Sequence, residues 1–346
     1  MTEDYGSSRI HCYQYYPFLK EDGFDVKFIP PSSTNSERFF KKYSNSKYTI
    51  IRVLSRFFYW YVVVMLNRAL GVLLVPFYDV IYIQRGVFKY DSPAFLEKII
   101  CYLSKVSIFH FDDAIYIDNP KSTREKVQCV DLVLADTNAL CEYAKKYNNN
   151  VQLWEDAIDL NDFCSNDDKK RNEHIIIGWV GNPVGFRYLY TIESAIKTIL
   201  DNYNNVKLQV VSNIDIQFNN NISVENILWS PNYNYVNDFD IGIMPLIGDE
   251  YDRAKGGYKI LEYMASSIPF VCSKTADNFI EDGDIGFIAN SEKEWIQKLS
   301  ILIDDENRSN RMGKKGRRLV EERFDLNKKG PRLSKIIKNQ IQNNVN

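Results

Sequence analysis

The sequence predicts an α/β protein built as two Rossmann-like halves, and three observations carry that expectation. Short β-rich apolar runs alternate with amphipathic helical stretches throughout, the signature of parallel sheets assembled from βαβ units. At mid-chain, residues 165–173 (SNDDKKRNE) carry a run of charges and no apolar side chain, and the alternation restarts after them. Finally, 346 residues exceed what one core usually supports, so two domains of ordinary size are the natural division.

Taken in order, strands are expected at 24–29, 79–84, 107–111, 132–135 and 151–154. Helices fill the gaps, with one long helix or a pair inside 35–73. After the break come IIIGWVG (175–181), a helix over 188–201, LQVVS (208–212), DIGIMPL (240–246), a helix after Gly257 and PFVCS (269–273). The divisions that follow are a first domain over 1–164, a linker over 165–173, a second domain over 174–325, and a last helical segment, 326–346, crossing back toward the first domain. No repeat of solenoid period is present.

With 45% hydrophobic and 25% charged residues, the chain is a soluble globular protein rather than a disordered or fibrous one. A net charge of −2 argues against nucleic acid as the main partner, although residues 1–150 carry 19 Lys+Arg against 16 Asp+Glu and so hold the basic excess. Six scattered cysteines without a CxxC pair read as buried thiols in a reducing cytosol. The polar start MTEDYGSSR is not a signal peptide. A cytoplasmic location is therefore expected.

Residues 52–78 are apolar, but Arg56 and Arg68 leave uncharged runs of 11 and 10 residues, too short to span a bilayer. Between Glu37 and Asp79 no acidic residue occurs, while Arg38, Lys41, Lys42, Lys47, Arg52, Arg56 and Arg68 are interleaved with aromatic side chains. Two readings stand for residues 38–68. One is a surface that lies peripherally on an anionic membrane; the other is a core helix with a basic outer face.

The segment KGGYKILEYMASSIPFV (255–271) carries the most chemistry. Gly256 and Gly257 precede a helix, where backbone N–H groups can approach an anion and the helix dipole favours phosphate. Lys259 and Glu262, three residues apart, share one face within two turns of that end. A cation there neutralises a diphosphate while the carboxylate accepts both hydroxyls of a ribose. The plain alternative is a solvated Lys–Glu pair worth about 0.3 kcal/mol, against which stands the apolar setting of Glu262 between Leu261 and Tyr263.

Four stretches in order, GWVGNPVGFRYL (178–189), FDIGIMPL (239–246), the 255–271 segment and RMGKKGRRLVEERF (311–324), resemble the C-terminal domain of the glycosyltransferases group 1 family. The resemblance implies the GT-B fold, two Rossmann-like domains facing across a cleft, and covers about 150 residues closely. In that family the loop after the first strand holds the donor diphosphate with an Arg and a Lys. The match places Gly181 at the strand end, Asn182 at the Arg and Arg187 at the Lys. Of two glutamates separated by seven residues, the second falls on Glu262, implied to hold the ribose, and the first on Ala254. Lys259 looks like a subgroup trait. The implied donor site is thus Gly181, Asn182, Arg187, Gly256, Gly257, Tyr258, Lys259 and Glu262.

In the first half, Phe109-His110-Phe111-Asp112-Asp113-Ala114 ends an apolar run where open α/β sheets place their chemistry, and it resembles the DDA stretch of the same subgroup. Asp112 or Asp113 would contact the acceptor or the transferred sugar, with His110 as proton acceptor. The alternative is that one of the aspartates caps the following helix. Arg85, ending the preceding strand, meets an anionic acceptor or forms a structural ion pair. Two DxD patterns, Asp238/Asp240 and Asp282/Asp284, read as structural, and no metal is expected. In relatives a first strand leads into the segment 7–26; here only six residues precede Ser7, so that strand is expected to be missing.

The resemblance implies transfer of a hexosyl group from a nucleoside diphosphate sugar to a glycan or lipid-linked glycan acceptor, with retention, in surface polysaccharide or glycoconjugate synthesis. No cofactor is implied beyond the donor substrate. A nucleotide-sugar epimerase of the same fold and an inactive sugar-nucleotide-binding homologue are the alternatives. A nicotinamide dehydrogenase is not expected, because no GxGxxG follows an expected strand.

Overall fold

The computed structural model describes residues 6–30, 34–88, 92–165, 173–230, 234–274 and 280–345. The chain forms two compact units, Met1–Glu155 with Asn327–Asn346, and Asp156–Leu326.

The first unit holds a four-stranded parallel sheet of β1 (Val80–Gln84), β2 (Val106–Phe111), β3 (Leu132–Ala135) and β4 (Val151–Leu153), in that spatial order. Every residue of β2 and β3 is buried, as expected when helices cover both faces of a parallel sheet. The register sets Gln84 opposite His110, and His110 opposite Leu134, so the carboxyl ends of three strands lie side by side. Two helices on this sheet are started by side-chain caps. Asn119 accepts from Ser122 N at the head of Pro120–Cys129, and Thr137 from Leu140 N at the head of Asn138–Lys145.

Residues 24–29 are not a strand, contrary to the sequence pattern. Their apolar side chains pack on helices instead: Phe28 stacks on Tyr13 with ring centroids 4.2 Å apart, and the Ile29 carbonyl accepts from Arg68 Nη1 at 2.7 Å. Alternating apolar residues secure burial, but a strand also needs a backbone partner, and here the carbonyl bonds to a side chain. No described residue before Val80 belongs to a strand.

Among the described residues before β1, the largest element is one continuous helix, Thr49–Phe77, of 29 residues. Arg56 and Arg68 do not interrupt it, because side-chain charge leaves backbone hydrogen bonding intact. By length and composition it could cross a membrane, yet only 11% of its apolar window is buried. That exposure overturns the core-helix reading, which requires the apolar side chains to be covered. A π-helical turn over Phe58–Val64 lets Tyr59 and Val64, five residues apart, both turn inward and become buried.

The last helix, Leu326–Val345, contributes its residues from Asn327 to the first unit. Lys338 pairs with Asp22 at 3.0 Å, Asn150 Nδ2 donates to Gln340 Oε1 at 3.3 Å, and Lys329 Nζ donates to the Glu155 carbonyl at 2.5 Å.

The second unit holds a six-stranded parallel sheet of β5 (Ile175–Val180), β6 (Val206–Ser212), β7 (Val224–Leu228), β8 (Ile241–Met244), β9 (Phe270–Cys272) and β10 (Phe287–Ile288). Their spatial order is β10-β9-β8-β5-β6-β7, so the chain leaves β5 toward β6 and returns on the other side at β8. That reversal is where open α/β sheets bind ligands. The helix Tyr258–Ala265 buries Ile260, Leu261, Tyr263, Met264 and Ala265. Gly242 in β8 admits the Tyr263 ring, which a Cβ would meet at 2.5 Å, and Tyr263 Oη donates to the Ile243 carbonyl at 2.9 Å.

The division between units falls at Glu155 rather than at 164. Ile158 is tied within the second unit, its N–H donating to the Phe324 carbonyl at 2.9 Å and its carbonyl accepting from Leu326 N at 3.0 Å. Of the expected linker, 166–172 lie outside the described residues. The cysteines are free, but only Cys141 and Cys272 are buried, while Cys164 is exposed.

Candidate functional site

In the second unit, the loop leaving β5 and the helix Tyr258–Ala265 meet at the sheet's reversal. Trp179, buried in β5, forms the floor. A Cβ on Gly181 would lie 2.5 Å from the Trp179 ring and 3.2 Å from Lys259 Nζ. Only a glycine therefore lets the loop lie on the indole with the ammonium beside it. Lys259 Nζ also sits 5.1 Å from the centre of a Trp179 ring, a cation–π arrangement.

Burial pulls the Lys259 pKa down to about 8, with Glu262 opposing the fall and Lys255 adding to it. The ammonium is thus under-compensated and suited to an anion. Gly256 presses against Asp156, whose Oδ2 a Cβ would meet at 2.8 Å. Gly257 takes the N-cap position without a capping side chain.

A second group of cations stands on Tyr188. Arg187 Nη2 and Lys255 Nζ donate to its hydroxyl at 2.5 and 3.1 Å, and that hydroxyl donates to Asp252 Oδ1 at 2.5 Å. Asp252 is fully buried, and its other oxygen accepts the N–H groups of Ile247 and Gly248, fixing the loop after β8. Arg187 lies 3.7 Å from Asp249 and stays 45% exposed, so its guanidinium can still meet a ligand. Asn182 is exposed on the β5 loop, and Tyr258 is half-buried at the helix start. Ala254, where the resemblance expects a glutamate, is fully buried.

The structure therefore gathers Gly181, Lys259 and Glu262 at one point, and Arg187 with Lys255 at another. Sequence reasoning passed over Lys255, Tyr188 and Asp252. Lys255 stood at the head of the motif, but nothing in a linear pattern shows a lysine hydrogen-bonded to a tyrosine 67 positions earlier.

In the first unit, Arg85 takes a left-handed backbone conformation with φ 57°, which costs a non-glycine residue about 1 kcal/mol or more. The turn aims its guanidinium at the end of β2. There it forms ion pairs with both Asp112 and Asp113, the latter at 2.5 Å. Asp112 also accepts from Ser7 Oγ at 3.1 Å and faces His11 Nε2 at 2.8 Å. Burial alone would raise the Asp112 pKa, but His11 and Arg85 hold it well below the usual carboxylate range. Neither aspartate caps the helix Ile115–Asp118, whose N-cap is Ala114 with no side-chain bond.

His110 is almost completely buried, with Nδ1 2.6 Å from Tyr82 Oη and Nε2 2.5 Å from Asp136 Oδ1. Both ring nitrogens are engaged inside the unit, so the solvent-facing groups of the cluster are Arg85 and Asp113. Burial pushes Asp136 up to about 8, opposed by His11 and reinforced by Asp112. His11, His110 and Asp136 bring ligand-type atoms within 4.8 Å of one another, with Asp136 bonded to His110 and 3.6 Å from His11 Nδ1. Sequence reasoning missed His11 and Asp136. Asp136 follows β3 directly, so the rule that selected Asp112 would also have found it; His11, on a short helix 99 residues before His110, gives no linear signal.

The two DxD patterns are structural where described. Asp240 Oδ2 accepts from Ile176 N at 2.8 Å, Asp282 holds Lys298 at 2.9 Å and Asp284 holds Lys315 at 2.5 Å.

Comparison with known proteins agrees with this geometry. The family model for glycosyl transferases group 1 matches residues 175–305, the part that holds the Lys259 and Tyr188 groups. The capsular polysaccharide biosynthesis glycosyltransferase CapM of Staphylococcus aureus is 24% identical over 261 residues, 70% of this chain and 66% of that protein. Among solved structures, HepE of Anabaena, crystallised with UDP and glucose, superposes with a TM-score of 0.61 at 13% identity, covering 79% of this chain and 81% of that one. The pneumococcal O-GlcNAc transferase GtfA, in complex with UDP and GlcNAc, gives 0.57 at 12% identity, covering 79% and 59%. At such identities the superpositions establish the GT-B fold, and the family match identifies residues 175–305 as a glycosyl transferases group 1 segment.

Proposed function

We propose that the protein transfers a hexosyl group from a nucleoside diphosphate sugar to a hydroxyl of a glycan or lipid-linked glycan, with retention of anomeric configuration. The observation that carries this reading is the approach of Lys259 Nζ to the bare Cα of Gly181 at the sheet reversal, with Glu262 one turn further on. A diphosphate seated on the β5 loop would meet Lys259 and the first turn of Tyr258–Ala265, while Glu262 takes the ribose hydroxyls.

Arg187 and Lys255 would add positive charge as the leaving diphosphate develops its own, a stabilisation worth several kcal/mol in preorganised sites. With protein cations in that role, the reaction needs no metal ion. Arg85 and Asp113 would meet the acceptor in the first unit, with His11, His110 and Asp136 holding Asp112 in place. The chemistry of CapM, named for capsular polysaccharide biosynthesis, supports a surface glycan as product, and UDP-glucose and UDP-GlcNAc are the donors of first choice.

The test is a binding and turnover panel of nucleotide sugars with wild type, Lys259→Ala and Glu262→Ala, repeated with a chelator present. Both substitutions should weaken donor binding at least tenfold, and the chelator should change nothing. Donor binding untouched by either substitution would remove the site assignment. A second reading, a homologue that binds the donor without transfer, is favoured by the buried Ala254 at the expected glutamate; binding without turnover on any acceptor would select it.

A further inference from the structure

The helix Thr49–Phe77 carries more exposed large apolar side chains than any other element among the described residues. Of 26 exposed large apolar side chains among the described residues, 12 lie on it. Val53, Phe57, Tyr61, Met65, Leu73 and Phe77 recur at multiples of four residues, each 42% or more exposed. Scattered apolar residues on a surface mean little, but a contiguous band of this kind marks a site of association. A pocket of about 340 Å³ opens between this helix and Thr34–Ser44, lined by Phe39, Phe40, Phe58, Tyr59 and Val63 together with Ser36 and Ser55.

Charge identifies the occupant. No acidic residue falls between Glu37 and Asp79, and Lys42, Lys47 and Arg56 are exposed beside the band. A second copy of a near-neutral chain gives these cations no reason to cluster; an anionic bilayer does. The other side of the helix is fixed to its own unit. Val64 and Val75 are buried, Arg68 donates to the Ile29 carbonyl, and Gly71 admits Ile29 at 3.2 Å from where a Cβ would stand. A helix held along its length cannot thread across a membrane without breaking those contacts.

We infer that Thr49–Phe77 lies in the plane of an anionic membrane surface, its apolar band among the acyl chains and its basic side chains at the headgroups.

The experiment is flotation of the purified full chain with vesicles of phosphatidylcholine alone and of phosphatidylcholine with phosphatidylglycerol. Wild type should float with the anionic vesicles and bind neutral ones at least about tenfold more weakly, since each basic residue near such a surface contributes about fivefold. The variant Phe57→Gln/Leu73→Gln/Phe77→Gln alters only exposed side chains. It should keep the wild-type circular dichroism and thermal midpoint while losing at least about tenfold in vesicle binding. The inference is overturned if wild type ignores anionic vesicles, if the triple variant floats as well as wild type, or if light scattering shows a dimer that the triple variant dissolves without any vesicle binding.

Discussion

At the scale of single residues, two buried titrating groups make the sites testable by pH alone. Lys259 titrates at about 8 because burial outweighs the charge of Glu262. Below that pH it is an ammonium that meets the diphosphate; above it the amine is neutral and the attraction is gone. Nucleoside diphosphate affinity should therefore fall as pH rises through 8, about twofold at pH 8 and about tenfold at pH 9 relative to neutral pH. Calorimetric titration would show this, and Lys259→Met should be weaker and flat over the same range. Asp136 works in the opposite sense. Its folded pKa is raised to about 8, so the native state keeps a proton that the unfolded chain releases near the ordinary carboxylate value of 3.8. Stability should decline between roughly pH 4 and 8 and level off above. Asp136→Asn should remove that slope, as thermal midpoints across the range would reveal. Both groups differ in how far the sequence announced them. Lys259 sits in a motif with glycines before it and a carboxylate three residues on, all local. Asp136 acquires its pKa from burial, with His11 opposing and Asp112 reinforcing the rise, in surroundings assembled by strand register and by a helix far away in sequence, which no linear pattern displays.

At the scale of elements, close packing decides what a helix tolerates. The helix Glu306–Arg323 lies directly on the turn after Tyr258–Ala265, where Ser267 has a left-handed φ of 56°. A Cβ on Gly313 would stand 2.0 Å from the Ser267 carbonyl oxygen, whereas one on Gly316 would stand 3.1 Å from Met264 Cγ. The first neighbour is backbone and cannot yield; the second is a flexible side chain. Gly313→Ala should lower stability by about 3 kcal/mol or more, and Gly316→Ala by less than about 1 kcal/mol, measured by denaturant unfolding. Of the strands with both faces buried, β3 was legible as an unbroken apolar run and β2 as one interrupted only by Ser107 and His110. Residues 24–29 looked similar but lack a strand partner, and their apolar side chains are satisfied by aromatic stacking. The long helix was legible as apolar, while its exposure was not, because hydrophobicity along the chain does not tell which neighbours will cover a face.

At the scale of the whole molecule, alternation and length sufficed to foresee two α/β units, but the path of the chain between them depends on contacts far apart in sequence. The first unit is discontinuous: it closes only when residues 327–346 return to it. That tail is anchored rather than laid on. Lys329, Leu333, Ser334, Ile337 and Gln340 are all buried, at helical spacing. Gly330 allows the Phe18 ring to within 2.3 Å of where a Cβ would be, and Asn344 Nδ2 reaches the Lys105 carbonyl at 3.1 Å. Burial of Leu333 and Ile337 alone is worth roughly 3–6 kcal/mol, a large part of the 5–15 kcal/mol that holds a typical domain. Leu326, by contrast, bonds to Ile158 within the second unit. A chain ending at Leu326 should therefore keep nucleoside diphosphate binding, which draws on the second unit, and lose the thermal transition of the first together with transfer to any acceptor. If instead the truncated protein unfolds in one step with loss of nucleotide binding, the two units are a single cooperative body and the tail holds both.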